Sequence, residues 1–451
     1  RYRYGTATHL VLGLLNVVIA EGLTGNEWVP GRVTGFDQLK PKVADYTPEK
    51  VEQITGVPAD AIRAAARAFG EAKNGIILYG PEAVGAALAV APATGDREGS
   101  SLQRAVVNLA ILTGFVGRPN NGVIAVLPHA NSRGAADLGV VPDRLPGYVP
   151  VEKPGLSAQE MLAGGVRALL IAAADPLAAS ARPEGLEFLV VQELLLTETA
   201  RQADVVLPAA AVGERDGTFT NLERWVQRFD PALPVPGQAR PDWIIVRELA
   251  SLLGAEWTHA TSGDVLAEMA QTVPLYAGMD YERLSQSAPL SRRMSHYIYA
   301  GMSFQAAQYP QGEVREGMQW LTQAEDSSVT LPLTWVDPVP GVPGGDGFTL
   351  VTPRMLYDGG SLVGQAEILG TSLVQPDVAL AHADALALGV ANGDRVQVSS
   401  NGRQVTLLAR VDGVVPAGVV AIPRNLRGQP AEWLLGERKV FGKVSVTKSD
   451  R

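Results

Sequence analysis

The sequence predicts an α/β region with a parallel sheet, followed by a smaller all-β barrel. Two short apolar runs, Phe188 to Gln192 and Asp204 to Leu207, flank a short helix start at Thr197 to Gln202. Strands buried on both faces of a parallel sheet have this near-continuous apolar character. Residues after 347 instead form short β-rich runs separated by turns. Pro338 to Gly347, PVPGVPGGDG, is typical of a linker. We therefore assign 1–337 to the α/β region, 338–347 to the linker and 348–451 to the barrel.

The other elements follow from apolar periodicity and turn residues. In the α/β region we expect helices at Gly5 to Leu23, Asp60 to Phe69, Leu102 to Leu112 and Asp242 to Leu253, and strands at Gly75 to Leu78 and Val166 to Ala172. In the barrel we expect strands at Phe348 to Thr352, Asp377 to Leu380, Arg395 to Ser399, Gln404 to Val411, Gly418 to Ile422 and Lys443 to Val446. Residues 122–148 have many small residues and little periodicity, so we expect an irregular, ligand-lining segment. Residues from about 262 to 337 are too weakly patterned to assign.

Composition excludes several classes of protein. With 46% hydrophobic and 19% charged residues, the chain of 451 residues is globular. Its net charge of -9 and the absence of a long basic run argue against a nucleic-acid surface. The sequence has no cysteine, and its five histidines are scattered without HxxxH or HExxH spacing. We therefore predict no metal ligands and no catalytic residue in this chain.

The longest apolar run near the start, Leu10 to Ala20, is interrupted by Gly13 and Asn16. It is shorter than the roughly 20 residues that a bilayer requires, so we interpret it as a buried helix. The chain begins at Arg1 without a methionine, and we expect it to be a piece of a longer protein.

Polar side chains follow the two apolar runs of the predicted sheet. Gln192 and Glu193 end the first run, and the loop 214–218 follows the second. Parallel sheets bind ligands outside the carboxyl ends of their strands. A carboxylate there can accept two hydrogen bonds from a guanine edge, and Arg215 can meet a phosphate in a bidentate geometry. The alternative is that Glu193 and Arg215 are solvated loop charges.

Taken in order, these segments resemble the molybdopterin oxidoreductases. The resemblance rests on Gly5 to Leu23, on WVPGRVTGFDQLKPKVADYTPEKVEQITGVPADAIRAAARAF from Trp28, on the loop to Tyr148, on Gln192 to Arg224 and on the β-rich region. The family includes formate dehydrogenases, nitrate reductases and the large subunit of NADH-quinone oxidoreductase. It implies a doubly wound α/β body and a carboxyl-terminal double-psi β-barrel, which together enclose molybdopterin guanine dinucleotide around a metal.

The resemblance also implies which residues contact that cofactor. Carboxylates suit the donors of guanine, whereas lysine, arginine and backbone N–H groups suit pyrophosphate. The barrel loop TPRMLYDGGS resembles the family's cofactor-cradling loop. The implied cofactor-binding residues are Asp175, Gln192, Glu193, Arg215, Asp242, Thr352, Arg354 and Lys443.

The departures from the family concern the active site. The family's metal ligand and iron-sulfur domain correspond to sequence upstream of Arg1, so any clusters belong to that region. In formate dehydrogenases the loop after the GRPGxGV turn carries an arginine that faces the substrate. The matching residue here, in the segment VLPHAN, is Leu127, followed by Pro128 and His129. Leucine does not stabilise a developing anion. His129 is either a substitute acid or base or a satisfied loop histidine. The loop after Gly80 also lacks the polar pattern of active members.

These departures favour the large subunit of NADH-quinone oxidoreductase, respiratory complex I. In that interpretation the chain is a scaffold for electron transfer from NADH to quinone, with an empty cofactor shell and other respiratory subunits as partners. It would be cytoplasmic, and partner subunits would hold it at the inner face of the plasma membrane. The alternative is part of a molybdenum or tungsten enzyme such as a formate dehydrogenase α chain, in which the cofactor carries the redox chemistry. A third possibility is a stand-alone module that binds a dinucleotide without chemistry.

Overall fold

The computed structural model describes residues 1–25, 31–80, 101–118, 121–127, 129–178, 180–285, 318–319, 328–335, 337–338, 346–426, 428–435 and 441–449. Most of the predicted linker, the loop after Gly80, and Pro128 lie outside these ranges. Contacts divide the chain into two compact units. Unit 1 comprises 1–73, 80–114 and 332–451, and unit 2 comprises 74–79 and 115–331. The proposed boundaries at 337 and 348 stay a prediction.

The helices of the described chain are α1 Ala7–Ala20, α2 Phe36–Ala44, α3 Pro48–Thr55, α4 Ala59–Gly70, α5 Ser101–Leu112, α6 Ser132–Asp137, α7 Ala158–Glu160, α8 Glu198–Arg201, α9 Asp242–Leu252, α10 Ser262–Thr272, α11 Tyr281–Ser285, α12 Ser361–Gln365, α13 His382–Ala387 and α14 Pro430–Leu435. The strands are β1 Val33–Thr34, β2 Ile76–Tyr79, β3 Gly122–Ala125, β4 Arg144–Leu145, β5 Val149–Pro150, β6 Ala168–Ala172, β7 Phe188–Glu193, β8 Val205–Pro208, β9 Gly217–Thr220, β10 Trp225–Phe229, β11 Met318–Gln319, β12 Leu331–Pro332, β13 Phe348–Val351, β14 Asp377–Leu380, β15 Arg395–Ser400, β16 Arg403–Val411, β17 Val419–Ala421 and β18 Phe441–Lys448.

Helix α1 is the buried centre of the helical part of unit 1. Leu15 and Val18 are fully buried, and the helix packs against α3, α4 and α5. At Gly13 a Cβ atom would lie 3.1 Å from the Val51 side chain, so glycine permits the close approach of α1 and α3. The apolar run Leu10 to Ala20 is therefore a buried helix, as predicted. No helix in the described ranges is long and apolar enough to cross a membrane.

The rest of unit 1 is a closed six-stranded barrel with the strand order β13, β17, β14, β16, β15, β18. Two neighbouring pairs, β13 with β17 and β14 with β16, are parallel, and the other pairs are antiparallel. Alternate apolar residues point inward, as period-two alternation requires, and Leu350, Leu380, Val396 and Val398 are fully buried. This barrel confirms the predicted all-β carboxyl-terminal region.

Unit 2 contains the predicted parallel sheet, in the order β6, β7, β8. Register pairs Ile171 with Val191 and Gln192 with Leu207. Leu189 and Val191 are fully buried in its core, which also contains Ala200 of α8. The α/β character of the region, with a parallel sheet, is thereby confirmed.

A second sheet of unit 2 is antiparallel, in the order β11, β10, β9. Val226 of β10 packs with Leu266 of α10 and with Tyr276 in a separate core. Part of the segment without a sequence assignment thus forms a packed structure. The segment 122–148, which we expected to be irregular, also contains β3, α6 and β4. Helix α6 escapes detection because alanine and glycine give it little apolar contrast.

Candidate cofactor-binding site

The carboxyl end of the parallel sheet meets the first residue of α9. Gln192, near the end of β7, is only 2% exposed. Its Nε2 atom donates a hydrogen bond of 2.7 Å to Oδ1 of Asp242. Asp242 begins α9, where a negative charge is favourable because the helix dipole is positive at that end. The residues Gln192 and Asp242, 50 positions apart, therefore form one polar contact.

Arg215 completes this cluster from the loop that leads into β9. One guanidinium nitrogen lies 3.2 Å from Oδ2 of Asp242, and both side chains are about a third exposed. The guanidinium carbon lies 6.0 Å from the centre of the Phe229 ring, within the range of a cation–π contact. Three predicted residues, Gln192, Arg215 and Asp242, thus lie together at the sheet edge.

Two buried polar atoms of this cluster, and one of Trp243, the residue after Asp242, have no hydrogen-bond partner among the described residues. They are Oε1 of Gln192, Nε of Arg215 and the indole Nε1 of Trp243. Each such atom costs about 1–3 kcal/mol when it stays unsatisfied. Two are donors, suited to phosphate or carbonyl oxygen, and one is an acceptor, suited to the N–H of a base. This donor and acceptor set fits a nucleotide.

Trp243 was missed by the sequence reasoning, although it stands in the ARPDW turn beside Asp242. The Arg247 guanidinium lies 5.4 Å from the centre of its ring. Sequence periodicity predicts which residues are buried, but it does not predict whether a buried indole N–H finds a hydrogen-bond partner. Only the tertiary placement reveals it.

The other two predicted residues of unit 2 have local partners. Oδ1 of Asp175 accepts hydrogen bonds from the backbone N–H of Thr199 at 2.8 Å and from its hydroxyl at 2.6 Å. Asp175 thereby anchors the start of α8. Oε1 of Glu193 accepts the backbone N–H of Leu194 at 2.8 Å. A cofactor contact for either carboxylate stays a prediction.

The predicted barrel residues lie in unit 1. Thr352 is 3% exposed, Arg354 is exposed, and Nζ of Lys443 donates to the carbonyl of Gly347 at 3.4 Å. The loop that follows Thr352 is firmly held. Asn425 contacts it twice, since its carbonyl accepts the N–H of Gly359 at 2.5 Å and its Nδ2 donates to Asp358 at 3.1 Å.

Asp358 also accepts the N–H of Gly360 at 2.9 Å. The TPRMLYDGGS loop is thus held by hydrogen bonds at Asp358, Gly359 and Gly360.

The segment with Leu127 and His129 leads into α6. Leu127 is half-buried and His129 is exposed. The backbone N–H of His129 donates to Oγ of Ser132 at 3.2 Å. Within the described residues, no group of three or more histidine, cysteine, aspartate or glutamate side chains is placed to bind a metal.

Behind this segment lies a buried polar network around Asp137, which is 0% exposed. Its carboxylate accepts hydrogen bonds from the Tyr148 hydroxyl at 2.5 Å and from the Tyr276 hydroxyl at 3.3 Å. Burial, together with the neighbouring Asp137 carboxylate, raises the pKa of Tyr148 to about 12. Burial also raises the pKa of Tyr276. Both tyrosines therefore stay neutral donors at all ordinary pH values.

The fold defines a class of protein with an α/β body and a closed β-barrel, in which Gln192, Arg215 and Asp242 form a polar cluster at the edge of the parallel sheet. The model of the family "Molybdopterin oxidoreductase" matches residues 2–252. The model "Molydopterin dinucleotide binding domain" matches residues 348–437. The chain belongs to the molybdopterin oxidoreductase family.

Several curated relatives are formate dehydrogenases. The chain is 33% identical to "F420-dependent formate dehydrogenase 2 subunit alpha" of Methanococcus maripaludis, over 92% of this chain and 63% of the relative. It is 31% identical to "F420-dependent formate dehydrogenase subunit alpha" of Methanocaldococcus jannaschii, over 93% of this chain and 63% of the relative. "Formate dehydrogenase H" of Escherichia coli is 33% identical over 62% of this chain and 42% of the relative. The chain thus spans 63% of the length of the two methanogen relatives.

Among solved structures, acetylene hydratase from Pelobacter acetylenicus matches with a TM-score of 0.66 and 19% identity. The match covers 99% of this chain and 71% of the hydratase. At this identity the likeness supports the fold alone. The sequence relatives favour the formate dehydrogenase alternative over the large subunit of NADH-quinone oxidoreductase, and they lend no support to a place in complex I.

Proposed function

We propose that this chain forms a cofactor-enclosing part of a molybdopterin oxidoreductase similar to formate dehydrogenase α subunits. The observation that carries the proposal is the polar cluster of Gln192, Arg215 and Asp242, with an unpartnered buried atom on Gln192, on Arg215 and on the adjacent Trp243. The 33% identity to a formate dehydrogenase α subunit over 92% of the chain supports the reaction class.

In unit 2, the cluster suits the nucleotide end of a molybdopterin dinucleotide. Nε of Arg215 and Nε1 of Trp243 would donate to phosphate or carbonyl oxygens, and Oε1 of Gln192 would accept from the base. Asp242 holds both neighbours through its two oxygens. When bound, the cofactor supplies the redox chemistry, and the chain binds and orients it.

In unit 1, three further residues are proposed cofactor contacts. Lys443 and Arg354 carry the positive charge that pyrophosphate requires, and Thr352 precedes the fixed loop with its backbone groups. Asp175 and Glu193 are proposed contacts of lower priority because each already accepts local hydrogen bonds.

The proposed substrate-binding part of the site is the segment 126–133. Leu127 brings no charge to a formate ion, so the ionisable groups of this segment are His129 and Arg133. Nε of Arg133 is buried without a partner among the described residues. Leu127 therefore also favours a second candidate function, a cofactor shell that keeps the fold and performs no oxidation.

The methanogen relatives are named as α subunits. We accordingly propose that this chain works with partner subunits that accept the electrons. Iron-sulfur clusters are proposed only for sequence outside this chain, which has no cysteine.

The test combines cofactor analysis with binding of a nucleotide probe to the full chain. Molybdenum, tungsten and pterin are quantified in the purified protein, and guanosine diphosphate is titrated by calorimetry. We expect Asp242→Ala to weaken binding of the probe at least tenfold, which corresponds to about 1.4 kcal/mol. Arg215 and Gln192 then lose the group that orients them.

Asp60→Ala is the matched control. Asp60 also lies in the first turn of a helix, and its side chain is fully exposed. We expect it to leave binding of the probe unchanged. Metal and pterin in the purified protein, with probe binding only after their removal, would support the enzyme, and probe binding by protein that never contained either would support the shell. Absence of metal, pterin and probe binding would refute both.

A further inference from the structure

Helix α6 packs against β9, and Asn131, Gly134 and Asp137 are spaced three residues apart along this helical segment. Oδ1 of Asn131 accepts the backbone N–H of Thr220 at 2.8 Å. Residues three apart in a helical segment share one face. Asn131, Gly134 and Asp137 therefore form a single polar face toward the end of β9.

Gly134 shows how close this contact is. A Cβ atom at this position would collide with Oδ1 of Asn131 and would lie 3.1 Å from Oγ1 of Thr220. Only glycine leaves room for the side chain of Asn131 to reach the Thr220 amide. At the far end of the face, the Tyr276 hydroxyl joins Thr220 to Asp137, with distances of 2.9 and 3.3 Å.

The side chain of Asn131 does not cap the helix that it precedes. Asn131 is the residue before α6, where asparagine commonly caps the helix by accepting an N–H of its first turn. Here no capping bond forms. The carbonyl oxygen is directed instead to Thr220, a residue 89 positions away. The helix thus forgoes its local cap in favour of a tertiary contact.

Strand β9 is also held at its other end. Ser262 donates a hydrogen bond from its hydroxyl to Asp216, directly before the strand. Tyr281 in turn donates to Ser262 at 3.0 Å. Arg215 precedes this anchor and contacts Asp242. A strand of four residues therefore connects the nucleotide-type cluster to the segment that carries Leu127 and His129.

We propose that Asn131 is a positioning residue that couples the segment 127–131 to the nucleotide-binding loop at Arg215 through β9. The coupling to a nucleotide rests on the proposed function, whereas the positioning role does not. Occupation of the Arg215 cluster by a nucleotide restrains β9, and Asn131 passes this restraint to the segment that leads to α6. The site thus orders its substrate-side segment when the dinucleotide is in place.

The test is amide hydrogen exchange on the full chain, with and without guanosine diphosphate. Asn131→Leu removes the acceptor, and Asn131→Asp keeps an acceptor oxygen of the same reach. Without nucleotide, we expect exchange of the Thr220 amide to accelerate about tenfold in the leucine variant and to stay within about threefold of the original in the aspartate variant. Rescue by aspartate separates the loss of the hydrogen bond from a general effect of substitution.

With the nucleotide probe, we expect slower exchange of the amides at 127 and 129–131 in the original protein and in Asn131→Asp. In Asn131→Leu the probe still binds, but this protection is lost, and the Kd rises by no more than the factor by which the probe slows exchange in the original protein. Unchanged Thr220 exchange in a folded leucine variant would overturn the positioning role. Protection of the segment by the probe in that variant would overturn the coupling.

Failure of the probe to bind the original protein would count against the proposed function and against the coupling, while Thr220 exchange would still decide the positioning role. If Asn131→Leu does not fold, Tyr148→Phe removes one donor to Asp137 without a change of shape. We then expect faster exchange of the segment 129–131, and unchanged exchange would overturn the proposal.

Discussion

Thr199 of α8 contacts Asp175 and Leu177 in the loop after β6. Thr199→Val measures how much this contact stabilises the fold, and it leaves the proposed cofactor ligand Asp175 in place. Thr199 is 0% exposed. Its hydroxyl donates to Asp175 at 2.6 Å and accepts the backbone N–H of Leu177 at 2.9 Å. Valine has the same shape but neither function, so the substitution removes two hydrogen bonds and leaves the packing nearly intact.

The expected loss follows from these two bonds. A hydrogen bond to a charged acceptor contributes about 1.5–3 kcal/mol, and the N–H of Leu177, left unsatisfied in the interior, costs about 1–3 kcal/mol. The added methyl group offsets about 0.8 kcal/mol. The backbone N–H of Thr199 continues to donate to Asp175. We therefore expect the free energy of unfolding of this sheet to fall by about 2–5 kcal/mol.

The assay is native-state hydrogen exchange at Leu189 and Val191, which are fully buried in the same sheet. These amides report the opening of the sheet whether or not the rest of the chain unfolds with it. Thr199→Ser is the control, since it keeps the hydroxyl and loses one methyl group at a cost of about 1 kcal/mol. A valine variant as stable as the serine variant would refute the reasoning.

Three other predictions concern the tyrosine network, α6 and the barrel. Because the pKa of Tyr148 is raised to about 12 and that of Tyr276 is raised as well, the folded chain keeps protons that the unfolded chain loses above pH about 10. The contribution of the two tyrosines to the free energy of unfolding should therefore be fully present below pH about 10 and should fall as the pH rises toward about 12. Urea unfolding between about pH 9 and 12 measures this fall, which should be smaller in Tyr148→Phe. Gly134→Ala should lower the free energy of unfolding by about 1–3 kcal/mol because its Cβ atom collides with Asn131; an unchanged urea midpoint would contradict this. Leu380→Ala should destabilise the barrel by about 2–5 kcal/mol, since the side chain is fully buried, and Leu356→Ala, on an 83% exposed side chain, is the control that should unfold at the original urea concentration.

The regular elements were predictable where one local signal was strong. Strand β7 appears in the sequence as an uninterrupted apolar run, and helix α9 as an apolar periodicity that begins at Asp242. Barrel strands such as β15 and β16 alternate and are joined by the turn at Asn401, whose positive φ suits a hairpin. In each case neighbouring residues carry the information, because alternation and turn chemistry are local properties.

The candidate site was predictable only in part. The strand-end rule led to Gln192 and Arg215, because the carboxyl ends of adjacent parallel strands meet at one edge. The resemblance to the family added Asp242, which lies in contact with both. Trp243 was missed, since its significance lies in a buried N–H without a partner among the described residues. The interpretation as part of NADH-quinone oxidoreductase placed too much weight on Leu127, a single position, against the similarity of the chain to formate dehydrogenases.

By itself, the sequence determined the α/β body, the barrel, the family and the absence of cysteine ligands, because composition, periodicity and ordered motifs are properties of the chain. Tertiary structure alone decided that Asn131 reaches Thr220 across 89 positions and that Asp137 reaches Tyr276 across 139. Tertiary structure also decided that Asp175 accepts a hydrogen bond from Thr199. The partner of a polar side chain depends on which distant segments packing brings within about 3 Å, and no local pattern encodes that distance.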